Sequence, residues 1–267
     1  MSADTVSLVP SRERGWRMGL ANMLTKENTA WWRTRRWWIQ GLIALSILNG
    51  CFALNMRESG SSLLAAGLNF LIVAAMAAPF VAVVVGQDSI LGERHSGTAA
   101  WVLSKPLRRP AFILAKLIAN GLGLLATWVV LPGGIAYFQF RAYGLDQLSL
   151  SGLAAGMGLV YLNLLFYLTL ALMLAMLFNG RGPGLGIALL NFMIWMPFLA
   201  EPIMKYAPWL LKVMPWNLLM PFGANSPLSG YLMLEAPLPT VTPIIATAVW
   251  CVLFVGVALW RFRQEEF

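Results

Sequence analysis

The side chains able to do chemistry crowd into one polar stretch. Gln87-Asp88-Ser89-Ile90-Leu91 leads into GERHSGTAAWVLSKPLRR, residues 92–109, and a lysine, Lys116, follows seven positions later. Two carboxylates, Asp88 and Glu93, alternate there with Arg94, Lys105, Arg108 and Arg109. Groups of this kind make ion pairs, cap helices and dock partners; they lack the nucleophile–base set needed to make or break bonds. Ser96-Gly97 offers a break, Thr98 a helix cap, residues 99–103 a short helix, and Ser104-Lys105-Pro106 a stop. The expectation is a charged hairpin that docks a short helix on a soluble partner and passes rigid-body motion to the helices on either side.

Catalytic signatures are missing elsewhere. The sequence has no G-x-x-x-x-G-K-[ST] phosphate loop, no H-E-x-x-H and no C-x-x-C, and His95 is its single histidine. Gly180-Arg181-Gly182-Pro183-Gly184-Leu185-Gly186 has the glycine density of a nucleotide loop. It follows an apolar helix rather than a strand, which predicts a tight turn. Cys51 and Cys251 lie in apolar runs and read as small buried hydrophobes.

The elements that must position the polar stretch follow from composition. Of 267 residues 59% are hydrophobic and 11% charged, with 12 Trp and a mean hydropathy of +0.70. A soluble domain carries about 25% charged residues. Too little polar surface exists to cover a water-soluble globule, so the expected fold is an all-α integral membrane protein. Six stretches, 38–54, 63–86, 111–138, 152–178, 184–200 and 241–260, are apolar enough to span a bilayer. Leu131-Pro132-Gly133-Gly134 predicts a kink or an end within the third. The expected organisation is an N-terminal segment 1–37, a six-span domain 38–260 containing the loop 87–110, and a tail 261–267.

Fifteen of the 19 Lys and Arg fall on one side of these spans, which predicts that both termini are cytoplasmic. The first 37 residues lack an apolar signal core, so insertion by an uncleaved first span is expected. The net charge of +8 sits beside apolar spans and points to anionic membrane lipid rather than nucleic acid. Trp16, Leu20, Met23 and Leu24 repeat at helical spacing, with Arg17, Lys26 and Glu27 elsewhere, predicting an amphipathic interfacial helix. Trp31, Trp32, Trp37 and Trp38, interleaved with arginines, read as an aromatic belt. Residues 201–240 carry seven prolines among apolar runs and predict short helices packed on the outer face. Asn49, Asn69, Asn163 and Asn191 stand at membrane depth, for a substrate path or for bonds between helices. Lys116 is the one ionisable acid or base inside the spans, and its position suggests snorkelling to the inner edge. No relay of buried carboxylates or histidines is present, so energy for uphill transport would come from another subunit.

The 92–116 stretch resembles the ABC-2 family of ABC exporter permeases, whose pattern runs G-E-R-x-x-G-T-x-x-x-L-L-S-x-P-x-x-R with a lysine entering the third span. Gly92, Glu93, Arg94, Gly97, Thr98, Leu103, Ser104, Pro106, Arg109 and Lys116 match, and Trp101-Val102 stand where leucines are usual. Lys26-Glu27 is similar to a pair in the family's N-terminal helix. The resemblance implies two permease chains, identical or related, above two cytoplasmic ATP-binding subunits that hold Mg-ATP, with no cofactor on this chain. It places Asp88, Glu93, Arg94, Gly97, Thr98, Ser104, Lys105, Pro106, Arg108 and Arg109 in the coupling loop and Trp16, Leu20, Lys26 and Glu27 in the interfacial helix. Arg108 and Arg109 would meet acidic groups of the ATPase or lipid phosphates. The expected activity is ATP-driven export of a hydrophobic or amphipathic cargo. The alternative is a membrane scaffold that docks a soluble partner through the same loop.

Overall fold

The computed structural model describes residues 15–58, 63–97, 107–144, 148–194, 197–221 and 227–264. Among these, every regular element is helical. After a short turn at Gly15–Arg17, α1 covers Leu20–Trp32 and α2 Arg36–Arg57. The long helices α3 (Ala65–His95), α4 (Arg109–Ala142) and α5 (Leu150–Leu177) follow. Shorter helices come next: α6 (Gly182–Met193), α7 (Pro197–Tyr206), α8 (Leu210–Val213), α9 (Trp216–Leu219) and α10 (Leu228–Met233). The chain closes with α11, Thr242–Gln264.

Among the described residues five helices, α2, α3, α4, α5 and α11, are long and apolar enough to cross a membrane. Within the fifth expected span, 184–200, the described residues form α6, 12 residues long, and α7 from Pro197, and residues 195–196 lie outside the description. At 1.5 Å per residue α6 reaches only about 18 Å, less than a hydrocarbon core of about 30 Å.

The opposite mismatch governs α3 and α4. Their 31 and 34 residues give lengths of about 46 and 51 Å, well beyond the bilayer. The charges of α3 gather at its end, whereas α4 carries Arg109 and Lys116 near its start and Arg141 near its close. Proline does not end either helix. Pro79 lies inside α3, and α4 continues past Pro132 to Ala142. Just before that proline the backbone switches to a π-helical stretch, Leu125–Val130. A π segment shifts the hydrogen-bond register and relieves the clash a proline ring makes with the preceding turn. A second π stretch, Leu45–Asn49, interrupts α2. Asn49 donates through Nδ2 to the Pro132 carbonyl at 3.1 Å and to Gln139 Oε1 at 2.8 Å, joining the two irregular helices.

The core forms around α5, which is apolar on all sides and buried along most of its length. Its Gly152-x-x-x-Gly156 pair receives α10. A Cβ at Gly152 would lie 2.5 Å from the Met233 carbonyl oxygen, and one at Gly156 3.3 Å from that of Ser229. The short helix thus sits backbone-to-backbone on α5. Glu235, just beyond α10 with φ 54°, accepts hydrogen bonds from the hydroxyls of Ser149 (2.6 Å) and Ser151 (2.7 Å) at the start of α5. Those bonds, Ser149 first and then Ser151, hold its carboxyl below the ordinary value of 4.5.

The first residue of the expected amphipathic repeat lies outside α1, because Trp16 belongs to the preceding turn and is half exposed. Met23, Glu27 and Trp31 form the buried face of α1, and Leu20 and Leu24 are half-buried beside it. This face packs along α4. Trp31 leaves the expected aromatic belt: it is fully buried, donates from Nε1 to Asn120 Oδ1 at 2.9 Å, and lies flat on Gly123. Trp32, Trp37 and Trp38 stay exposed.

Two outcomes follow. A Cβ at Gly123 would stand 2.4 Å from the Trp31 ring, so Gly123→Ala should destabilise the chain by about 1–3 kcal/mol in detergent unfolding. Gly134→Ala, which meets nothing within 4 Å, should be neutral or slightly stabilising; equal effects would contradict the packing. The depressed Glu235 carboxyl contributes stability that is present above its unfolded pKa and lost as pH falls through its lower folded value. Glu235→Gln should therefore flatten the acid limb of a stability–pH curve, and an unchanged limb would remove Glu235 as its source.

Candidate functional site: a charged clasp at the helix ends

The end of α3 and the start of α4 are joined by charge. Lys116, on the second turn of α4, is 1% exposed. Its Nζ lies 3.0 Å from Glu27 Oε1 of α1 and 3.1 Å from Glu93 Oε1 of α3, and 4.9 Å above the Phe112 ring. Lys26 closes the group from the rim, 2.6 Å from Glu93 Oε1 and 3.9 Å from Glu27. Two cations and two anions cancel, so the cluster is neutral although largely buried. The expected snorkelling of Lys116 does not occur. Because α1 covers the helix at this point, the ammonium points into carboxylates rather than toward lipid phosphate.

One turn earlier on α3, Asp88 accepts from Arg181 at 2.7 Å and from Arg36, at the start of α2, at 3.5 Å. Gln87 beside it seats the turn between α5 and α6. With its amide nitrogen toward the Arg181 carbonyl (3.2 Å), its oxygen receives the Gly184 N–H (3.3 Å). A Cβ at Gly184 would fall 2.2 Å from the Gln87 amide, so that close approach requires glycine. The glycine-rich 180–186 run is therefore a turn docked on α3.

Arg94 and Arg109 act as helix caps. An α-helix leaves its last four carbonyls without partners, and cations there also meet the negative end of the macrodipole. Arg94 donates to the Ala175 carbonyl at 2.7 Å and to Asn179 Oδ1 at 3.4 Å, finishing α5. Arg109 donates to the carbonyls of Phe262 (3.2 Å) and Arg263 (2.5 Å), finishing α11. Arg108 differs: its side chain is exposed, while its backbone N–H reaches the Met18 carbonyl at 3.1 Å. Gly97, in the left-handed region at φ 69°, ends α3, a conformation a Cβ would strain.

Eight of the residues singled out in sequence thus lie at one end of the bundle: Lys26, Glu27, Asp88, Glu93, Arg94, Gly97, Arg108 and Arg109. Thr98, Ser104, Lys105 and Pro106 lie outside the described residues. Sequence reasoning missed Arg36, Gln87 and Arg181 as partners of this end. Their one visible signal was their place at span boundaries on the basic side.

The asparagines lie elsewhere. Asn49 binds α2 to α4 as described. Asn191 Oδ1 accepts from Tyr167 Oη and from Trp216 Nε1, the latter at 3.1 Å, so it ties α6 to α5 and α9. Asn163 is buried beside it at a cavity of about 10 Å³, and Asn69 is half-buried on α3. Among the described residues no three His, Cys, Asp or Glu side chains come together as a metal site.

Among the described residues, the fold is an all-α, multi-pass membrane bundle whose helix ends are joined by charge. Residues 20–267 match the family described as ABC-2 family transporter protein. The chain belongs to this ABC-2 transporter family and is a membrane permease. It is also similar to the probable ABC transporter permease protein NosY of Pseudomonas aeruginosa, 26% identical over 205 residues, 68% of this chain and 70% of that protein.

Removing one member of a buried ion pair leaves an uncompensated charge and costs about 3–5 kcal/mol. Lys116→Met should destabilise the chain on that scale. The double variant Glu27→Gln/Lys116→Met should recover much of the loss, because Lys26 and Glu93 remain paired. Additive losses in a double-mutant unfolding cycle would show that the two charges do not interact.

Proposed function

We propose that this permease is the membrane half of an ATP-driven exporter in the cytoplasmic membrane, with the clasp as the element that couples it to the motor. The observation that carries the reading is the Lys116 cluster. A single ammonium joins α1, the end of α3 and the start of α4, so a force on the intervening loop would move all three together. Two permease chains would face each other above two cytoplasmic ATP-binding subunits, with Mg-ATP held on those subunits. Closure of the ATPase pair would press on the 87–110 loop, and the clasp would tilt α3 and α4 as levers to switch access from inside to outside.

Several features support this arrangement. The basic bias of the sequence supports a cytoplasmic clasp and cytoplasmic termini. The short helices α6 and α7 together would supply a sixth crossing. Arg94 and Arg109 already finish helices, which leaves the exposed Arg108 to meet acidic groups of the ATPase. An interior without fixed charges suits a hydrophobic or amphipathic cargo. Asn49 and Asn191 serve in this scheme as bonds between helices that keep the levers in register.

Affinity purification of the tagged chain from native membranes in mild detergent should recover a subunit carrying an ATP-binding phosphate loop. Arg108→Glu should reduce that recovery while leaving the unfolding temperature of the permease unchanged. Purification of the intact chain without any ATP-binding subunit would remove the motor and with it the exporter reading.

A further inference from the structure

Beyond the clasp, α1 and α4 enclose a second feature. An open concavity of about 480 Å³ lies between them, lined by Asn28, Trp32, Leu122, Leu125, Ala126 and Val130. Its lining is apolar except for the Asn28 amide. One wall is Trp32, which splays outward because its neighbour Trp31 is pinned under α4 by Asn120 and Gly123. The floor is the π-helical stretch Leu125–Val130, whose altered register sets Leu125, Ala126 and Val130 along the groove.

The direction of the groove follows from the pairing of the two helices. Glu27 meets Lys116 and Trp31 meets Asn120, so α1 and α4 run parallel, away from the charged end. Asn28 therefore marks the mouth nearest the clasp. Val130, eight residues beyond Leu122, is about 12 Å deeper. Past Trp32, level with Leu122 by that pairing, the chain turns between α1 and α2 through Arg33, Thr34, Arg35 and Arg36. Arg36 is spent on Asp88. Arg33 and Arg35 are exposed, and among the described residues neither has an ion-pair partner. Trp37 and Trp38 follow, half exposed.

We propose that this groove is a binding site for one acyl chain of an anionic phospholipid, with the headgroup phosphate held by Arg33 and Arg35. The lining selects the occupant. Five of its six residues are apolar, and such a surface beside a spanning helix suits a hydrocarbon chain. Charge selects the headgroup, because two arginines beside an apolar slot at the membrane interface favour an anion, each contributing about 1 kcal/mol of attraction. The lipid would brace the junction of α1 with α2 and α4, next to the clasp. Assignment of this lipid to the inner leaflet rests on the orientation proposed above, whereas the groove and its chemistry do not.

The test uses the full chain in mild detergent, incubated with dipalmitoyl phosphatidylglycerol or dipalmitoyl phosphatidylcholine, and native mass spectrometry to count retained lipid. The wild type should retain one phosphatidylglycerol, preferred roughly 10-fold or more over phosphatidylcholine. Arg33→Gln/Arg35→Gln should abolish that preference. Ala126→Phe, which fills the floor, should abolish retention of both lipids. Trp32→Ala, which removes a half-exposed wall without touching the core, should do the same if Ala126→Phe fails to fold. Equal retention of the two lipids by the wild type, or no retention, overturns the site. So does phosphatidylglycerol binding that survives both groove variants, since it would reflect adsorption to the arginines alone. Leaflet is read separately: Ser96→Cys should react with a membrane-impermeant maleimide only after permeabilisation. Labelling in intact cells would overturn the orientation and leave the groove standing.

Discussion

The constraint on which this structure depends is the burial of one ammonium. Lys116 is removed from solvent, and a charge in that position costs several kcal/mol unless anions and hydrogen bonds replace its water. The two carboxylates that do so come from segments far apart in sequence, Glu27 on α1 and Glu93 on α3. Satisfying Lys116 therefore fixes three helices at once. The placement of Trp31 on Gly123, the turn from α1 into α2 and the groove between α1 and α4 all follow from where α1 is held.

The same end of the molecule solves a second problem of polar satisfaction. Helices that end at a membrane surface present orphan carbonyls, and here two arginines from the α3–α4 region supply the missing donors. Arg94 caps α5 and Arg109 caps α11. Asp88 binds the α5–α6 turn and the start of α2 in a similar way. The result is a set of cross-links in which the ends of α3 and α4 touch almost every other long helix. The coupling proposed above relies on this dense set of cross-links.

The opposite end is held by different means. Small residues allow α10 to lie directly on α5, and Asn191 collects donors from Tyr167 and Trp216. Between the two ends, the paired irregularities in α2 and α4 are joined by Asn49. Charge thus organises one face and close backbone packing the other, with π-helical stretches between them where the register of each long helix changes.

What the sequence by itself determined is the class and the ends of the story. Hydropathy points to an apolar helical bundle, because uninterrupted apolar runs of about 20 residues suit α-helices, which satisfy their own backbone in lipid. The 92–116 stretch carried enough specific residues to point to the family, and the excess of Lys and Arg marked the side on which those residues cluster. Pattern alone did not decide partners. Lys116 looked like a residue that snorkels, since nothing in its neighbourhood along the chain showed that α1 would cover it. Trp31 and Trp32 are adjacent and of one type, yet one is fully buried and the other half exposed, a difference set by Gly123 and Asn120 about ninety positions away. Nothing near Arg94 or Arg109 along the chain showed that the ends of α5 and α11 would come within their reach. Local periodicity and composition act over a few turns of chain, so they settle element type and burial in membrane. Pairing of charges, capping of distant helices and the path of α4 past its proline depend on contacts between remote segments, and only the tertiary structure decides those.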